Sequence, residues 1–194
     1  MYERDPDIKV SVPSLPDLDI IKQSLEDMWA SKFITNFGKY HEQLEQEIAE
    51  YLSVPYVTLF SSGTTALIAA LSVLKVRGDV ITTPFTFSAT TQAIKIAGLK
   101  PVPADINLDT YNLDPRSVEG SISRKTKVIL PVHCYGTPCD LKAFAGIANK
   151  HNLYLVYDAS HAFGVKGNEQ NIFSLADLSA ISLHATKVFN TVEG

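Results

Sequence analysis

The sequence has few cysteines, no surplus of basic residues and no long apolar run, and each shortage argues against a class of protein. Two cysteines, Cys134 and Cys139, cannot build a disulfide framework, and without a second ligand pair they do not predict a zinc site. The formal net charge of −4 argues against nucleic-acid binding. No apolar run approaches the roughly 20 residues of a membrane span. Residues 1–10 are too charged for a signal peptide, so we expect a cytoplasmic protein without metal, nucleic-acid or membrane partners.

The remaining pattern predicts an α/β fold. Apolar residues at helical spacing predict helices at residues 13–32 and 40–52. Short apolar strands alternate with helices from residue 56 onward, which favours a mostly parallel sheet with helices on both faces. The predicted strands are residues 56–60, 80–82, 101–106, 128–133, 153–158 and 178–183. The predicted helices that follow the first of these strands are residues 64–76, 86–97, a helix starting at Asp114-Pro115, and residues 140–150.

The first predicted helix carries an apolar stripe. Its members are Leu15, Leu18, Ile21, Leu25 and Trp29. We expect this stripe to be core or a dimer interface; a surface for a different partner is the alternative.

Three segments that follow predicted strands carry polar groups, and in parallel sheets ligands bind at that edge. The first, SSGTTAL at residues 61–67, opens a helix, and small residues there let an anion approach free backbone N–H groups. Gly63, Thr64 and Thr65 are the candidate phosphate ligands. Alternatively, Ser62 or Thr64 simply caps the helix.

The second segment, YDASHAFG at residues 157–164, places Asp158 at the end of a strand and His161 three residues later. A carboxylate there can pair with a protonated ring nitrogen. Structural roles for both side chains remain open, as a turn cap for Asp158 and a packed histidine for His161.

The third segment, SLHATKVF at residues 182–189, contains Lys187 beside apolar neighbours. Desolvation would lower the pKa of its amine and leave part of it nucleophilic near neutral pH. A solvated surface lysine is the alternative.

Together the three segments match the needs of pyridoxal 5′-phosphate (PLP), which requires a phosphate anchor, a counterion for its pyridinium and an amine for its aldehyde. The ring also needs a flat partner. Phe85 and Phe87 are candidates, of which we favour Phe87, with ordinary core packing as the alternative.

At these motifs the sequence resembles the DegT/DnrJ/EryC1/StrS aminotransferases, which are fold type I PLP enzymes acting on nucleotide-linked keto sugars. The resemblance extends along nearly the whole chain, including TTPFTF at residues 82–87 and PVHCYG at residues 131–136. Residues 182–190 look like those of members that aminate dTDP-keto-6-deoxyhexoses, as in O-antigen synthesis.

The resemblance implies a role for each candidate residue. Thr64, Thr65 and Ser182 would hold the phosphate, and Phe87 would stack on the ring. Asp158 would pair with the pyridine nitrogen and His161 would contact the ring hydroxyl. Lys187 would be the Schiff-base lysine and would carry the proton between substrate and cofactor. Glutamate is the implied amino donor.

The resemblance also implies an organisation. Residues 1–55 would be a helical segment packed on a PLP-binding large domain, residues 56–194. A further strand and a small C-terminal domain would follow after Glu193-Gly194, and full-length members would form homodimers. We therefore expect these 194 residues by themselves to have little or no activity.

Three other interpretations stay open. A PLP-binding regulator would have the same fold and no turnover. A nucleotide-binding α/β module would use residues 62–65 for phosphate and leave Lys187 on the surface, although GxGxxG and P-loop motifs are both missing. A non-enzymatic interaction protein would use the helix around Trp29.

Overall fold

The computed structural model describes residues 12–166 and 171–192, and within them the expected α/β fold is confirmed. Parallel strands form one sheet in the order β2-β1-β3-β4-β5. The strands are β1 (Asp79–Thr82), β2 (Lys100–Pro103), β3 (Thr126–Leu130), β4 (Tyr154–Asp158) and β5 (Leu178–Ala180). The helices are α1 (Leu18–Ser31), α2 (Lys39–Leu52), α3 (Gly63–Val73), α4 (Ser88–Ile96), α5 (Pro115–Ser121) and α6 (Leu141–His151), with a 3-10 turn at Cys134–Gly136. The expectations for residues 1–11, Glu193 and Gly194 lie outside the described residues.

Helices cover both faces of the sheet. Successive strand residues point to opposite faces, so Val80 packs in the cluster formed with α3 and α4, and Ile81 packs in the cluster formed with α5 and α6. Because both faces are covered, the central strands β3 and β4 contain continuous buried runs, residues 128–130 and 155–158, rather than alternating ones.

The sheet brings four connections to one edge. The chain leaves β1, β3, β4 and β5 at their carboxyl ends, and all of these ends lie on the same side because the strands are parallel. β2 lies on one side of β1 and β3 on the other, so the direction of winding changes at β1. Ligand sites in open α/β sheets form beside such a change.

The strand predicted at residues 56–60 is wrong. The Leu59 N–H donates to Oε1 of Glu45 on α2 over 2.8 Å instead of joining the sheet. Val57 and Leu59 pack against the cluster of Ile48, Leu52 and Leu183, so their apolar character reflects burial against α2 rather than strand pairing. Three predicted strands also extend too far. β2 ends at Pro103 and β3 at Leu130, both paired with Thr82 at the end of β1, and β5 ends at Ala180, which is paired with Asp158 at the end of β4.

Helix α1 has no buried residue, so the expectation that its apolar stripe is core is wrong for this chain. Trp29 is 77% exposed, and Leu18 and Leu25 are exposed as well. Asp17 caps the helix by accepting the Asp19 N–H at 2.8 Å. A surface ion pair of 2.7 Å between Lys39 and Asp27 links α2 to α1, and pairs of this kind stabilise little. None of the helices in the described ranges has the length and apolar character needed to cross a membrane.

Candidate active site

A cavity of about 700 Å³ lies at the carboxyl edge of the sheet. Its volume falls within the range of roughly 300–1,000 Å³ typical of small-molecule sites. The connections after β1, β3, β4 and β5 line it, together with the start of α3. Seven of the eight predicted site residues line this one cavity: Gly63, Thr64, Phe87, Asp158, His161, Ser182 and Lys187.

The start of α3 forms one wall. Ser62 caps the helix, since its Oγ accepts the Thr65 N–H at 3.2 Å, so the capping interpretation is confirmed for Ser62. The Thr65 hydroxyl donates to the Ser62 carbonyl at 2.8 Å and accepts the Ser62 N–H at 3.0 Å. Thr65 therefore stabilises the turn and is not among the residues that line the cavity. Thr64 and the capping residue Ser62 both line the cavity.

Gly63 fixes the distance between α3 and the connection after β5. A Cβ at this position would lie 3.0 Å from the Cβ of Ser182, closer than ordinary contact. The absence of a side chain therefore brings the positive end of the α3 dipole beside the Ser182 hydroxyl, where an anion is favoured.

Asp158 ends β4 and is only 4% exposed, yet it lines the cavity. Its Oδ1 accepts the Ser160 hydroxyl at 2.6 Å and the Ser160 N–H at 3.1 Å. Its Oδ2 accepts the Thr90 hydroxyl at 2.7 Å. A carboxylate has about four lone-pair positions, so it can still accept a hydrogen bond from the cavity.

Lys187 lies in a turn after β5, where its N–H donates to the His184 carbonyl at 2.8 Å. Partial burial lowers the pKa of the Lys187 amine below its usual value, although the Asp158 carboxylate opposes this shift. The interpretation of Lys187 as an ordinary solvated lysine does not fit its place in the cavity wall.

His161 lines the cavity and is influenced by the charges of Asp158 and Lys187. Its ring is stacked parallel to Tyr135, with centroids 6.2 Å apart. Burial lowers the pKa of His161 and the Lys187 charge lowers it further, whereas Asp158 raises it. The imidazole is therefore held toward its neutral form near pH 7.

The two candidate phenylalanines are used differently. Phe87 is 74% exposed on the cavity wall, so its ring face is open to a planar ligand. Phe85 packs on Tyr111, with centroids 5.6 Å apart, and meets Tyr135 edge-on at 6.3 Å. The core-packing interpretation thus fits neither residue fully. Phe85 forms an aromatic group with Tyr111 and Tyr135.

Sequence reasoning missed Thr90 and Tyr135 as site residues. Thr90 is in the first turn of α4 and is 68 residues away from Asp158, so no local pattern distinguishes it from its neighbour Thr91. Tyr135 carried a weak signal, because it precedes Gly136 directly after a buried strand. Its φ of +51° is uncommon for tyrosine and turns its ring toward His161.

The chemistry of these side chains fits PLP. The cavity offers a helix N-terminus with hydroxyls, a buried carboxylate, an amine with a lowered pKa and an open aromatic face. Among residues 12–166 and 171–192, no group of three or more His, Cys, Asp or Glu side chains is placed to hold a metal ion.

Comparison with known proteins identifies the family suggested by the sequence motifs. Residues 18–194 match the DegT/DnrJ/EryC1/StrS aminotransferase family. A dTDP-4-amino-4,6-dideoxy-D-glucose transaminase of Shigella dysenteriae is 49% identical over 187 residues, which is 96% of this chain and 51% of the relative. A pleiotropic regulatory protein of Geobacillus stearothermophilus is 40% identical over 171 residues, 87% of this chain and 45% of that protein.

The fold comparison agrees. The PLP form of a putative sugar aminotransferase, Spr1654 from Streptococcus pneumoniae, superposes with a TM-score of 0.89 at 31% identity. The superposition covers 96% of this chain and 51% of the solved one, so the chain spans about half the length of the proteins it matches. On sequence and fold together, the chain belongs to the DegT/DnrJ/EryC1/StrS aminotransferase family.

Proposed function

We propose that the protein is a PLP-dependent aminotransferase that transfers an amino group from glutamate to a nucleotide-linked keto-deoxy sugar. The observation that carries the proposal is the meeting of Lys187, Asp158 and the start of α3 in one cavity, three groups that match the three reactive parts of PLP. Bound PLP supplies an electron sink that stabilises negative charge on the carbon from which a proton is removed.

In this proposal the α3 N-terminus holds the phosphate. The N–H groups of the first turn and the hydroxyls of Thr64 and Ser182 bind its oxygens. Thr65 contributes through the cap that keeps this turn in shape. Gly63 contributes by allowing the helix to approach Ser182.

Asp158, His161 and Phe87 orient the ring. The Asp158 carboxylate accepts the pyridinium N–H and keeps that nitrogen protonated, as a buried carboxylate partner favours the charged form. His161, held toward neutrality, contacts the ring hydroxyl. The exposed face of Phe87 packs on the ring.

Lys187 performs two tasks in this proposal. Its lowered pKa leaves a larger fraction of the amine unprotonated at neutral pH, so Nζ would hold PLP covalently through its aldehyde carbon, with loss of water. The same Nζ, when free, would be the base that moves a proton at the substrate carbon.

The proposed sugar substrate rests on relatedness. The Shigella dysenteriae relative is a transaminase for a dTDP-linked dideoxy sugar, and the identity of 49% supports a dTDP-linked substrate here. Tyr135 and Phe85 line the cavity and are exposed, so they are the candidate contacts for the part of the ligand that extends beyond the cofactor.

We also propose that residues 1–55 pack on a large domain that begins at residue 56, and that two copies associate through α1. The exposed stripe on α1 is apolar, and the described part of this chain leaves it uncovered. A surface of this kind marks an interface.

A PLP-binding regulator is the second candidate, favoured by the similarity to the Geobacillus stearothermophilus regulatory protein. It would bind PLP at Lys187 and show no turnover with any keto sugar. Turnover of a dTDP-keto sugar with glutamate by the intact protein separates the two candidates.

The test of the proposal is an absorbance titration with PLP on wild type and Lys187→Ala. Wild type should develop a visible imine band that borohydride traps on residue 187, and Lys187→Ala should lose both. Lys95→Ala, which removes an exposed lysine on α4, is the control and should behave as wild type. A band of equal intensity in Lys187→Ala would refute the proposal, and its absence in wild type would favour a non-covalent nucleotide-binding module.

A further inference from the structure

A chain of hydroxyl groups connects α4 to the carboxylate of Asp158. The hydroxyls of Thr86 and Thr90 are 2.7 Å apart, and the Thr90 hydroxyl is 2.7 Å from Oδ2 of Asp158. Thr90 is fully buried and Asp158 nearly so, so water does not compete strongly for these hydrogen bonds.

The direction of the chain follows from its acceptor. An ionised carboxylate cannot donate, so the proton of the Thr90 hydroxyl points at Oδ2. Thr90 then accepts from Thr86, which completes a chain that runs from Thr86 through Thr90 to Asp158. Hydrogen bonds to a charged acceptor are about twice as strong as neutral ones.

Thr90 and Ser160 together stop the carboxylate from rotating. Ser160 donates two hydrogen bonds to Oδ1, at 2.6 and 3.1 Å. Thr90 on α4 donates its hydroxyl to Oδ2. Ser160 is two residues from Asp158 on the same connection and moves with it. Thr90 is the contact that ties the carboxylate to another part of the fold.

We propose that Thr90 is a positioning residue, which holds Oδ2 of Asp158 so that the free lone pairs of the carboxylate face the cavity. The inference rests on the proposed function, in which Asp158 pairs with the ring nitrogen of PLP. Thr90 differs from the ring ligands because it acts through Asp158, and its loss turns the carboxylate away from the ring without removing a cofactor contact.

The first test compares Thr90→Val, which keeps the shape and removes the hydroxyl, with Thr90→Ser, which keeps the hydroxyl. In the intact protein, Thr90→Val should bind PLP about tenfold more weakly, the loss expected for one hydrogen bond to a charged group. It should also reduce the visible circular dichroism of bound PLP, which reports ring orientation. Thr90→Ser should restore both. Thr91→Val is the control, because the Thr91 hydroxyl bonds to the Ser88 carbonyl of its own helix.

A double-mutant cycle decides whether Thr90 acts through Asp158 or touches the cofactor itself, since Thr90 also borders the cavity. In an Asp158→Ala background, Thr90→Val should have no further effect on PLP affinity. A full tenfold loss in that background would overturn the proposal, as would wild-type affinity and circular dichroism in Thr90→Val.

A readout without cofactor separates this proposal from the proposed function. The Ser160 N–H donates to the same carboxylate, so in the PLP-free protein Thr90→Val should shift the Ser160 amide resonance more than Thr91→Val does. If wild type fails to bind PLP, the proposed function fails and this shift still tests the contact. If wild type binds PLP and Thr90→Val matches it in every readout, only the positioning role fails.

Discussion

At the scale of single residues, the strand-end side chains could be predicted from sequence and their partners could not. Asp158 and Lys187 follow apolar strands, and the parallel sheet brings both to the same edge. Thr90 and Asp158 are 68 residues apart in sequence, and no local pattern encodes the hydrogen bond that joins them in the fold. Thr65 is a predicted phosphate ligand whose hydroxyl also takes part in the helix cap, a second use that the sequence pattern does not specify, and its phosphate role stays a prediction.

His133 should make stability depend on pH. Its ring is fully buried, its Nδ1 accepts the Cys139 N–H at 3.0 Å, and its Nε2 has no hydrogen-bond partner among the described residues. Burial lowers the pKa of His133 from its ordinary 6.5 to about 4, although Asp158 opposes the shift. The unfolded chain therefore binds a proton between pH 6.5 and 4 that the folded chain does not, and stability falls as the pH drops through this window.

Because of His133, the free energy of unfolding should fall by up to about 3 kcal/mol when the pH is lowered from 7 to 4. Urea unfolding across that range measures it. His133→Asn keeps an acceptor for the Cys139 N–H and removes the titrating ring, so its pH dependence should be weaker by about that amount. An unchanged pH dependence in this variant would contradict the assignment.

At the scale of elements, periodicity predicted the order of helices and strands, and pairing decided where they end. The predicted strand at residues 56–60 has strand-like composition, yet Glu45 takes the Leu59 N–H that a neighbouring strand would have used. Strand ends at Pro103, Leu130 and Ala180 depend on how far the neighbouring strand extends, which composition does not specify.

The turn before β1 should depend on Gly78. Its φ is +147°, and a Cβ there would lie 2.2 Å from the carbonyl oxygen of Lys125, which also accepts the Asp79 N–H. Gly78→Ala should lower the free energy of unfolding by about 1–3 kcal/mol, measured by urea denaturation. Gly146→Ala, inside α6 with open space around its Cβ, is the control and should be neutral or stabilising by up to about 1 kcal/mol. Equal effects of the two substitutions would show that strain at residue 78 is unimportant.

At the scale of the whole molecule, the described part of the chain leaves the apolar stripe on α1 uncovered. If two copies associate there, Leu25→Asp and Trp29→Asp should each weaken the dimer at least tenfold, because each places a charge in an apolar interface. Sedimentation velocity of the intact protein over a dilution series measures this. Glu26→Ala, on the polar side of the same helix, should leave the dissociation constant within a factor of about three.

The residues that build the hydrophobic core are largely separate from those that line the cavity, and this separation affects how such enzymes diversify. The strands contribute mostly buried apolar residues, whereas the groups that face the cavity lie at the end of β4, on the connections that leave the strands and at the starts of α3 and α4. An exposed cavity residue on a connection, such as Tyr135 after β3, can therefore change while the hydrophobic interior keeps its composition. Exchanging one connection between relatives is thus a rational route to new substrate preference on an unaltered scaffold.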